Sequence, residues 1–390
     1  MYTYKIFNNI SPQGINCLKD NGFLENETDP DALLIRSHNL IEKDFNPSLK
    51  CICRAGAGVN HIPLSMATEK GVVVFNTPGG NANAVKELVI CGLLLSSRGI
   101  IQGHKFLQNL EEKNSNDVNN LVESNKKTFK GSELKGKTIG IIGLGSIGSL
   151  LAQSVESMGM KIIGYDPNIS IDSAWQLPKE VEKADDLKYL LSNSDYISIH
   201  VPLVDETKNL IAKDNLQHIK KGAKLINLSR GAIVNNEDVL EALTNKNISC
   251  FVTDFPTPEM IKRSNEYEDV ILMPHLGAST QEAEVNCAIM AAEQANRFLK
   301  DGEIINSVNF PRVKLGRTTE NRLVIVHKDE PGVIGRITGE IALENLNIVD
   351  MINKSRNEIA ITLIDLQLKP SKKLIDIIKK MKRVFSVRIC

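Results

Sequence analysis

The run Gly143-Leu144-Gly145-Ser146-Ile147-Gly148 constrains the fold of this chain more than any other feature. It follows an apolar segment, Thr138-Ile139-Gly140-Ile141-Ile142, whose length and composition suit a strand buried on both faces. It opens a helix-like segment, Ser149 to Met158, and a second apolar run, Lys161 to Tyr165, then ends in Asp166. Strand, glycine turn, helix, strand and acidic residue in that order make a dinucleotide-binding unit. The glycines allow the tight turn and let the backbone approach a pyrophosphate, which rests on the unpaired amides of the helix N-terminus. Asp166 stands where a carboxylate accepts hydrogen bonds from ribose hydroxyls and repels a 2′-phosphate. The pattern therefore predicts NAD as the cofactor rather than its phosphorylated form.

More than a hundred residues precede the turn, and the full length of 390 allows two or three domains. Lys+Arg and Asp+Glu both total 47, so no basic surplus points to nucleic acid and no acidic excess to a solvated arm. Seven cysteines are scattered without metal-ligand spacing, and Cys51-Ile52-Cys53 alternates inside an apolar run. Reduced thiols in a core are the expectation, with no metal and no disulfide. No apolar stretch is long enough to cross a bilayer, and Met1 to Phe7 lacks the pattern of a signal peptide. A soluble cytoplasmic protein is expected.

Strand-like runs at Lys5–Phe7, Ala32–Arg36, Cys51–Arg54 and Val72–Phe75 give the first part its own α/β pattern. A long helix is expected from Ala84 through Leu110, then a polar surface excursion over Glu111–Ser124. Beyond the glycine turn, Tyr196–Ile199, Lys224–Leu228, Cys250–Thr253 and Val270–Met273 read as further strands. Strands alternating with helices imply parallel sheets covered on both faces. A helix over Thr280–Leu299 follows, and Asn306–Pro311 reads as a linker. The fold class is thus α/β: a Rossmann-type NAD domain inserted into a flavodoxin-like substrate domain, which explains the late motif. After Pro311 the order becomes β-α-β-β-α-β, a split βαβ plan suited to regulation or assembly. The expected boundaries are 1–97 with 279–310 for the substrate domain, 98–278 for the NAD domain and 318–390 for the regulatory domain.

Three chemically able side chains follow three separate strands: Arg230 in Leu228-Ser229-Arg230-Gly231, Glu259 in Asp254-Phe255-Pro256-Thr257-Pro258-Glu259, and His275 in Pro274-His275-Leu276-Gly277-Ala278. Each alone has a plain reading, as a surface ion pair, a solvated carboxylate or a packed histidine. Together they converge, because carboxyl ends of parallel strands open into one crevice. Oxidising a 2-hydroxy acid takes these three types. A base near pH 7 accepts the hydroxyl proton, a carboxylate steadies the resulting imidazolium, and a guanidinium grips the substrate carboxylate. Two further turns, Arg54-Ala55-Gly56-Ala57-Gly58 and Asn76-Thr77-Pro78-Gly79-Gly80-Asn81, follow strands of the first domain. Arg54 favours a phosphate at the substrate's far end.

These stretches, with Gly143 to Gly148 and Pro274-His275-Leu276-Gly277, resemble the D-isomer-specific 2-hydroxyacid dehydrogenases over nearly the whole chain. The resemblance implies His275 as acid/base, Glu259 as its partner and Arg230 as carboxylate binder. It implies NAD contacts at Gly143, Gly145, Ser146, Ile147, Gly148, Asp166, Val201, Leu228, Ser229, Arg230, Asp254, His275, Gly277 and Ala278. Arg54, Ala55, Gly56, Ala57, Gly58 and Asn76, with Arg230 and His275, would hold a phosphorylated small-molecule substrate. The tail, with His327-Lys328-Asp329-Glu330-Pro331-Gly332-Val333 and Asn347-Ile348, is similar to an ACT domain. Such domains pair edge to edge and bind amino acids, so His327, Asp329 and Asn347 are candidate effector contacts. Asp329 departs from the Asn of serine-inhibited members, and its carboxylate opposes that of an amino acid. A homodimer or homotetramer is implied, with no nucleic-acid or membrane partner. Two alternatives stay open: a reductase of another small 2-keto acid such as glyoxylate or hydroxypyruvate, and a non-catalytic NADH-sensing scaffold.

Overall fold

The computed structural model describes residues 1–110 and 114–390, so the first three residues of the expected polar excursion lie outside the described residues. The first sheet contains β1 (Thr3–Phe7), β2 (Leu24–Glu25), β3 (Ala32–Ile35), β4 (Cys51–Arg54) and β5 (Val73–Phe75). All its pairs are parallel and the order is β2-β1-β3-β4-β5, the flavodoxin-like arrangement. On β4, Cys51 and Cys53 face one core with Tyr4, Leu34 and Phe75, while Ile52 faces another with Leu33, Ile35 and Val74. Strict alternation puts the two thiols, two residues apart, on the same face of the strand.

The second sheet contains β6 (Thr138–Ile142), β7 (Lys161–Tyr165), β8 (Glu182–Lys183), β9 (Tyr196–Ile199), β10 (Ala223–Asn227), β11 (Ile248–Thr253) and β12 (Val270–Leu272). Its order is β12-β11-β10-β9-β6-β7-β8, again all parallel, so the strand order reverses between β6 and β9. That switch point is where a doubly wound sheet opens a crevice for a ligand.

The chain divides into two compact units, 1–81 with 281–390, and 82–280. The first hand-over therefore comes at 81/82 rather than the expected 97/98. Helix Ala82–Ser97 packs on the second sheet: a Cβ on Gly92 would stand 3.1 Å from Val252 Cγ1. The expected single helix from 84 to 110 is two, Ala82–Ser97 and Ile100–Gln108. The break falls at Gly99, where any side chain would meet the backbone of Phe129 at 2.9 Å. The excursion carries a helix of its own, Ser115–Asn125, capped by the Asn114 side chain.

The tail forms β13 (Asn321–Lys328), β14 (Ile348–Arg356), β15 (Ile359–Leu366) and β16 (Val384–Ile389), antiparallel in the order β14-β15-β13-β16. Leu323, Ile325, Ile364 and Leu366 pack under helices Val333–Leu343 and Lys372–Lys379. The other face is buried as well: Val324, Val326, Ile361 and Leu363 share a core with Phe75, Phe298, Ile304 and Phe310. The tail forms the expected C-terminal sheet with helices over one face, and by its contacts it groups with the first sheet in one compact unit. A cavity of about 650 Å3 opens along this seam, lined by Thr68, Glu69, Lys328, Arg356 and Phe385 among others, and none of the expected site residues lines it. No helix among the described residues is long and apolar enough to cross a membrane.

A buried ion pair pins the tail. Arg322 and Asp365 side chains are both fully buried, with Nε to Oδ1 at 2.6 Å and Nη2 to Oδ2 at 2.8 Å. The remaining guanidinium donors reach the carbonyls of Asp301, Leu315 and Gly316, and Asp365 also accepts from the Thr318 amide and hydroxyl. Burial pushes the Asp365 carboxyl up, but Arg322 and Thr318 outweigh it and hold it below the ordinary carboxylate range. A depressed folded value means the stabilisation is present at neutral pH and lost as pH falls through that value. Asp365→Asn leaves a buried guanidinium without its counter-charge and is expected to cost about 3–5 kcal/mol at neutral pH. Urea unfolding followed by circular dichroism checks this, and the loss should shrink below about pH 4, where the unfolded-state carboxyl also protonates. A loss under about 1 kcal/mol at pH 7 would place the pair among weak surface-type bridges.

Candidate functional site

The glycine turn is built as its sequence demands. Gly143 lies at φ 91°, and a Cβ there would stand 2.8 Å from the His200 carbonyl and 2.9 Å from Val201 Cγ1. Gly148 packs its helix so tightly on the strand that a Cβ would sit 2.0 Å from the Gly143 oxygen. Gly145 differs: it is the N-cap of helix Ser146–Ser157, at φ −71°, with nothing within 4 Å of an added Cβ. The amides of the helix's first turn therefore face open space at its positive end, a cradle that fits a pyrophosphate. Ser146 is exposed and Ile147 half-buried at that mouth. At the end of β7, Asp166 accepts the Leu144 amide on Oδ2 at 2.8 Å and the Asn168 amide on Oδ1 at 2.9 Å. Two carboxylate oxygens carry about four acceptor positions, so room is left for ribose hydroxyls. The residues present fit a dinucleotide.

Three strands of the same sheet then deliver the chemistry. Beyond β10, Asn227 is almost fully buried and organises the turn that carries Arg230. Its Oδ1 accepts from the Ser229 amide and hydroxyl, and its Nδ2 donates to the Arg230 carbonyl at 2.9 Å. The half-buried Arg230 guanidinium bonds the Ser229 carbonyl at 2.6 Å. Gly231 lets this turn close on Phe255, where a Cβ would stand 3.2 Å away. The Phe255 ring meets the His275 ring edge-on, with centroids 4.9 Å apart and planes at 77°.

His275 sits after β12 at φ 50°, a left-handed conformation that a side chain adopts only when its surroundings enforce it. Its amide donates to the carbonyls of Asp254 and Met273, both at 3.1 Å, and its ring is exposed. Asp254, after β11, is 1 % exposed: Oδ2 accepts the Gly277 amide at 3.1 Å, while Oδ1 is buried without a partner. Burial raises the Asp254 carboxyl, opposed by the Gly277 amide and by the charges of His275 and Arg230. Asp254 is thus a carboxyl on which the charges of both His275 and Arg230 act.

Glu259 follows the same strand, β11, five residues beyond Asp254. It is exposed in the first turn of helix Pro258–Glu266, where its own amide and the Thr257 side chain lower its carboxyl. Pro258 at the helix start and Thr257 as its cap turn this carboxylate into the helix's N-terminal stabiliser. Leu228 is buried, and Val201 and Ser229 are half-buried on neighbouring turns. Gly277 lies 3.8 Å, measured from an added Cβ, from the Leu228 carbonyl, with Ala278 exposed beside it. Asn227 and Phe255 were missed by sequence reasoning, although both stand at a strand's carboxyl end next to residues that were found.

In the other unit, Gly56 lies at φ 147°, and an added Cβ would stand 2.5 Å from Arg54 Nη1, so the guanidinium folds against the glycine turn. Arg54 Nε donates to the Arg36 carbonyl at 3.0 Å. Arg36 is a second cation at a carboxyl end, after β3, readable by the signal that flagged Arg54. Asn76 donates to the Ala57 carbonyl at 2.7 Å, and the Thr77 hydroxyl accepts the Gly56 amide at 2.7 Å, so the turns that start at Ala55 and Asn76 are tied together. Ala55 is buried and Gly58 half-buried.

Of the candidate effector residues, His327 is 1 % exposed, with Nδ1 2.8 Å from the Lys328 carbonyl and Nε2 2.8 Å from the Thr362 hydroxyl, while Asp329 and Asn347 are exposed. No group of His, Cys, Asp and Glu among the described residues is arranged to hold a metal ion.

Comparison with known proteins bears on the family and the fold. The model of the family described as D-isomer specific 2-hydroxyacid dehydrogenase, NAD binding domain, matches residues 92–277. D-3-phosphoglycerate dehydrogenase of Methanocaldococcus jannaschii is 34% identical over 345 residues, covering 84% of this chain and 63% of that protein. The protein of the same name from Haemophilus influenzae is 31% identical over 347 residues, covering 87% of this chain and 80% of that one. The chain spans about half to two thirds of the first curated relatives it matches, at 63%, 49% and 59% of their lengths. A NAD+-bound 3-phosphoglycerate dehydrogenase structure from Entamoeba histolytica shares the fold, with a TM-score of 0.62, 24% identity and coverage of 79% of this chain and 98% of that one.

Two glycines of the turn should fail in different ways. Gly145→Ala adds a methyl group where the protein has open space and φ is ordinary, so the melting temperature should move by less than about 2 °C while NADH binding weakens at least about tenfold. Gly148→Ala forces a methyl group onto the Gly143 carbonyl and should destabilise by about 1–3 kcal/mol. Thermal melts and NADH fluorescence titration separate the two, and equal NADH affinity in Gly145→Ala would remove the pyrophosphate from this turn.

Proposed function

The chain belongs to the D-isomer-specific 2-hydroxyacid dehydrogenase family, and on that premise we propose that it oxidises D-3-phosphoglycerate to 3-phosphohydroxypyruvate with NAD. That reaction is the first step of phosphorylated serine biosynthesis, and the reading takes a soluble, cytoplasmic homodimer or homotetramer as its setting. The observation that carries it is the gathering of Arg230, Asp254 and His275 at adjacent strand ends beside an open glycine cradle.

Gly143 to Gly148 and Asp166 would hold NAD, with Val201, Leu228, Ser229 and Gly277 along its path. When bound, it accepts a hydride from the substrate's second carbon. The chain's own groups do the rest. Arg230 grips the carboxylate on the first carbon and orients the hydroxyl-bearing carbon. An imidazole nitrogen of His275 takes the hydroxyl proton, and in the reverse direction returns it to the ketone oxygen. Asp254 lies close enough for its charge to act on both, so it steadies the imidazolium that forms. We assign this partnership to Asp254 in place of Glu259, because the buried carboxylate senses His275 and the exposed one is spent on its own helix. Arg54, the 55–58 turn and Asn76, with Arg36 beside them, are assigned to the phosphate at the far end.

The assay is NADH oxidation over a panel of 2-keto acids. Phosphohydroxypyruvate should be reduced at least about a hundredfold more efficiently than hydroxypyruvate, and Arg54→Ala should narrow that gap, since an Arg–phosphate contact is worth roughly 2–3 kcal/mol. Equal rates on both substrates would leave a broader 2-keto acid reductase, and binding of NADH without turnover would leave a sensor. Asp254→Asn should lower kcat by about a hundredfold or more and move the optimum of ketone reduction to lower pH, because the imidazolium loses its counter-charge. Glu259→Gln should stay within about threefold of the parent, as expected of a surface helix-terminus charge. The opposite ranking of these two variants would restore Glu259.

A further inference from the structure

The long helix Gln281–Asp301 presents one face to every turn assigned above to the substrate's far end. Glu284, Cys287 and Gln294 are spaced by three and seven residues, which places them on one side of a helix. Glu284 accepts from Arg36 Nη2 at 2.6 Å. The Cys287 sulfur lies 2.8 Å from where a Cβ on Gly80 would stand, in the turn that follows Thr77. Gln294 donates through Nε2 to the Asn76 carbonyl at 2.9 Å.

Gln294 is the member with the most to explain. It is 6 % exposed, in a helix face otherwise made of Ala288, Ala291, Ala292 and Ala295, and its Oε1 is buried with no partner. A buried amide that satisfies one end only is less stable there than an apolar side chain of the same length. Its satisfied end is aimed at one target, the backbone of Asn76. From Asn76 the chain of bonds continues through Nδ2 to the Ala57 carbonyl, inside the glycine turn.

We propose that Gln294 is a positioning residue for the phosphate end of the substrate: its Nε2–H fixes the Asn76 carbonyl, and through Asn76 it sets the 55–58 turn. The proposal rests on the substrate assignment made above. It separates this residue from a packing residue, because stability and positioning then pull in opposite directions. Gln294 touches no reacting atom, so its removal changes substrate affinity and not the chemical step.

The test uses Gln294→Met in the full chain, which keeps length and volume and deletes the donor. The melting temperature should hold or rise. KM for phosphohydroxypyruvate should rise about tenfold, with kcat and the KM for NADH within about twofold, the pattern of lost ground-state binding. Gln294→Glu, which turns a carboxylate toward the Asn76 carbonyl, should raise that KM further. An unchanged KM in both variants overturns the proposal. So does a fall in melting temperature with kcat and both KM values moving together, which marks a packing role. If the parent protein prefers another 2-keto acid, the substrate assignment fails on its own, and the KM for that acid in Gln294→Met still decides the positioning role.

Discussion

A parallel sheet covered on both faces leaves only its strand ends free, and in both sheets of this chain the candidate side chains sit at the carboxyl ends. Strands β10, β11 and β12 are buried along most of their length, so Arg230, Asp254 and His275 can reach solvent or ligand only from the turns that follow. The same holds for Arg36 and Arg54 after β3 and at the end of β4. Packing fixes the strands to within fractions of an ångström, and the turns inherit that precision. Asn227 shows how: a buried amide at the last position of β10 shapes the turn that carries the guanidinium, so the core itself aims Arg230.

Much of this was legible because the signals were local. Glycines in the 143–148 turn are required by contacts with residues a few positions away, such as Gly148 against Gly143, and a local requirement leaves a local pattern. Strand ends were equally readable, since apolar runs stop where the turn begins. Glu259 marks the limit. Two carboxylates follow β11 within six residues, and their order says nothing of which turns inward. The Thr257-Pro258 pair starts a helix there and takes Glu259 with it, leaving Asp254 inside. Gln294 was unreadable for another reason: its partner, Asn76, lies 218 residues earlier, and a polar residue in an alanine-rich helix face carries no hint of that.

The tail shows how pattern can identify a plan and leave its surroundings undetermined. Alternation on β13 and β15 predicts two faces, and the βαββαβ order predicts helices over one of them. Nothing in the order says what covers the other. In the structure Val324, Val326, Ile361 and Leu363 complete the core that holds β5 and the long helix, so both faces are dry. The Arg322–Asp365 pair is the polar counterpart of that packing, binding the linker carbonyls of Asp301, Leu315 and Gly316 into the same interior.

That joining bears on the long helix. Its last turns are packed by the tail, through Phe298 and the Asp301 carbonyl, while Glu284, Cys287 and Gln294 before them brace the turns around Arg36, Gly80 and Asn76. A helix is stiff along its axis because each turn is hydrogen-bonded to the next. Phe298 stands one turn beyond Gln294, and Gln294 two turns beyond Cys287, so one hydrogen-bonded segment carries both sets of contacts. Burying the tail and holding the anion turns are in this sense one mechanical problem, and the unsatisfied amide of Gln294 is the place where the two demands meet.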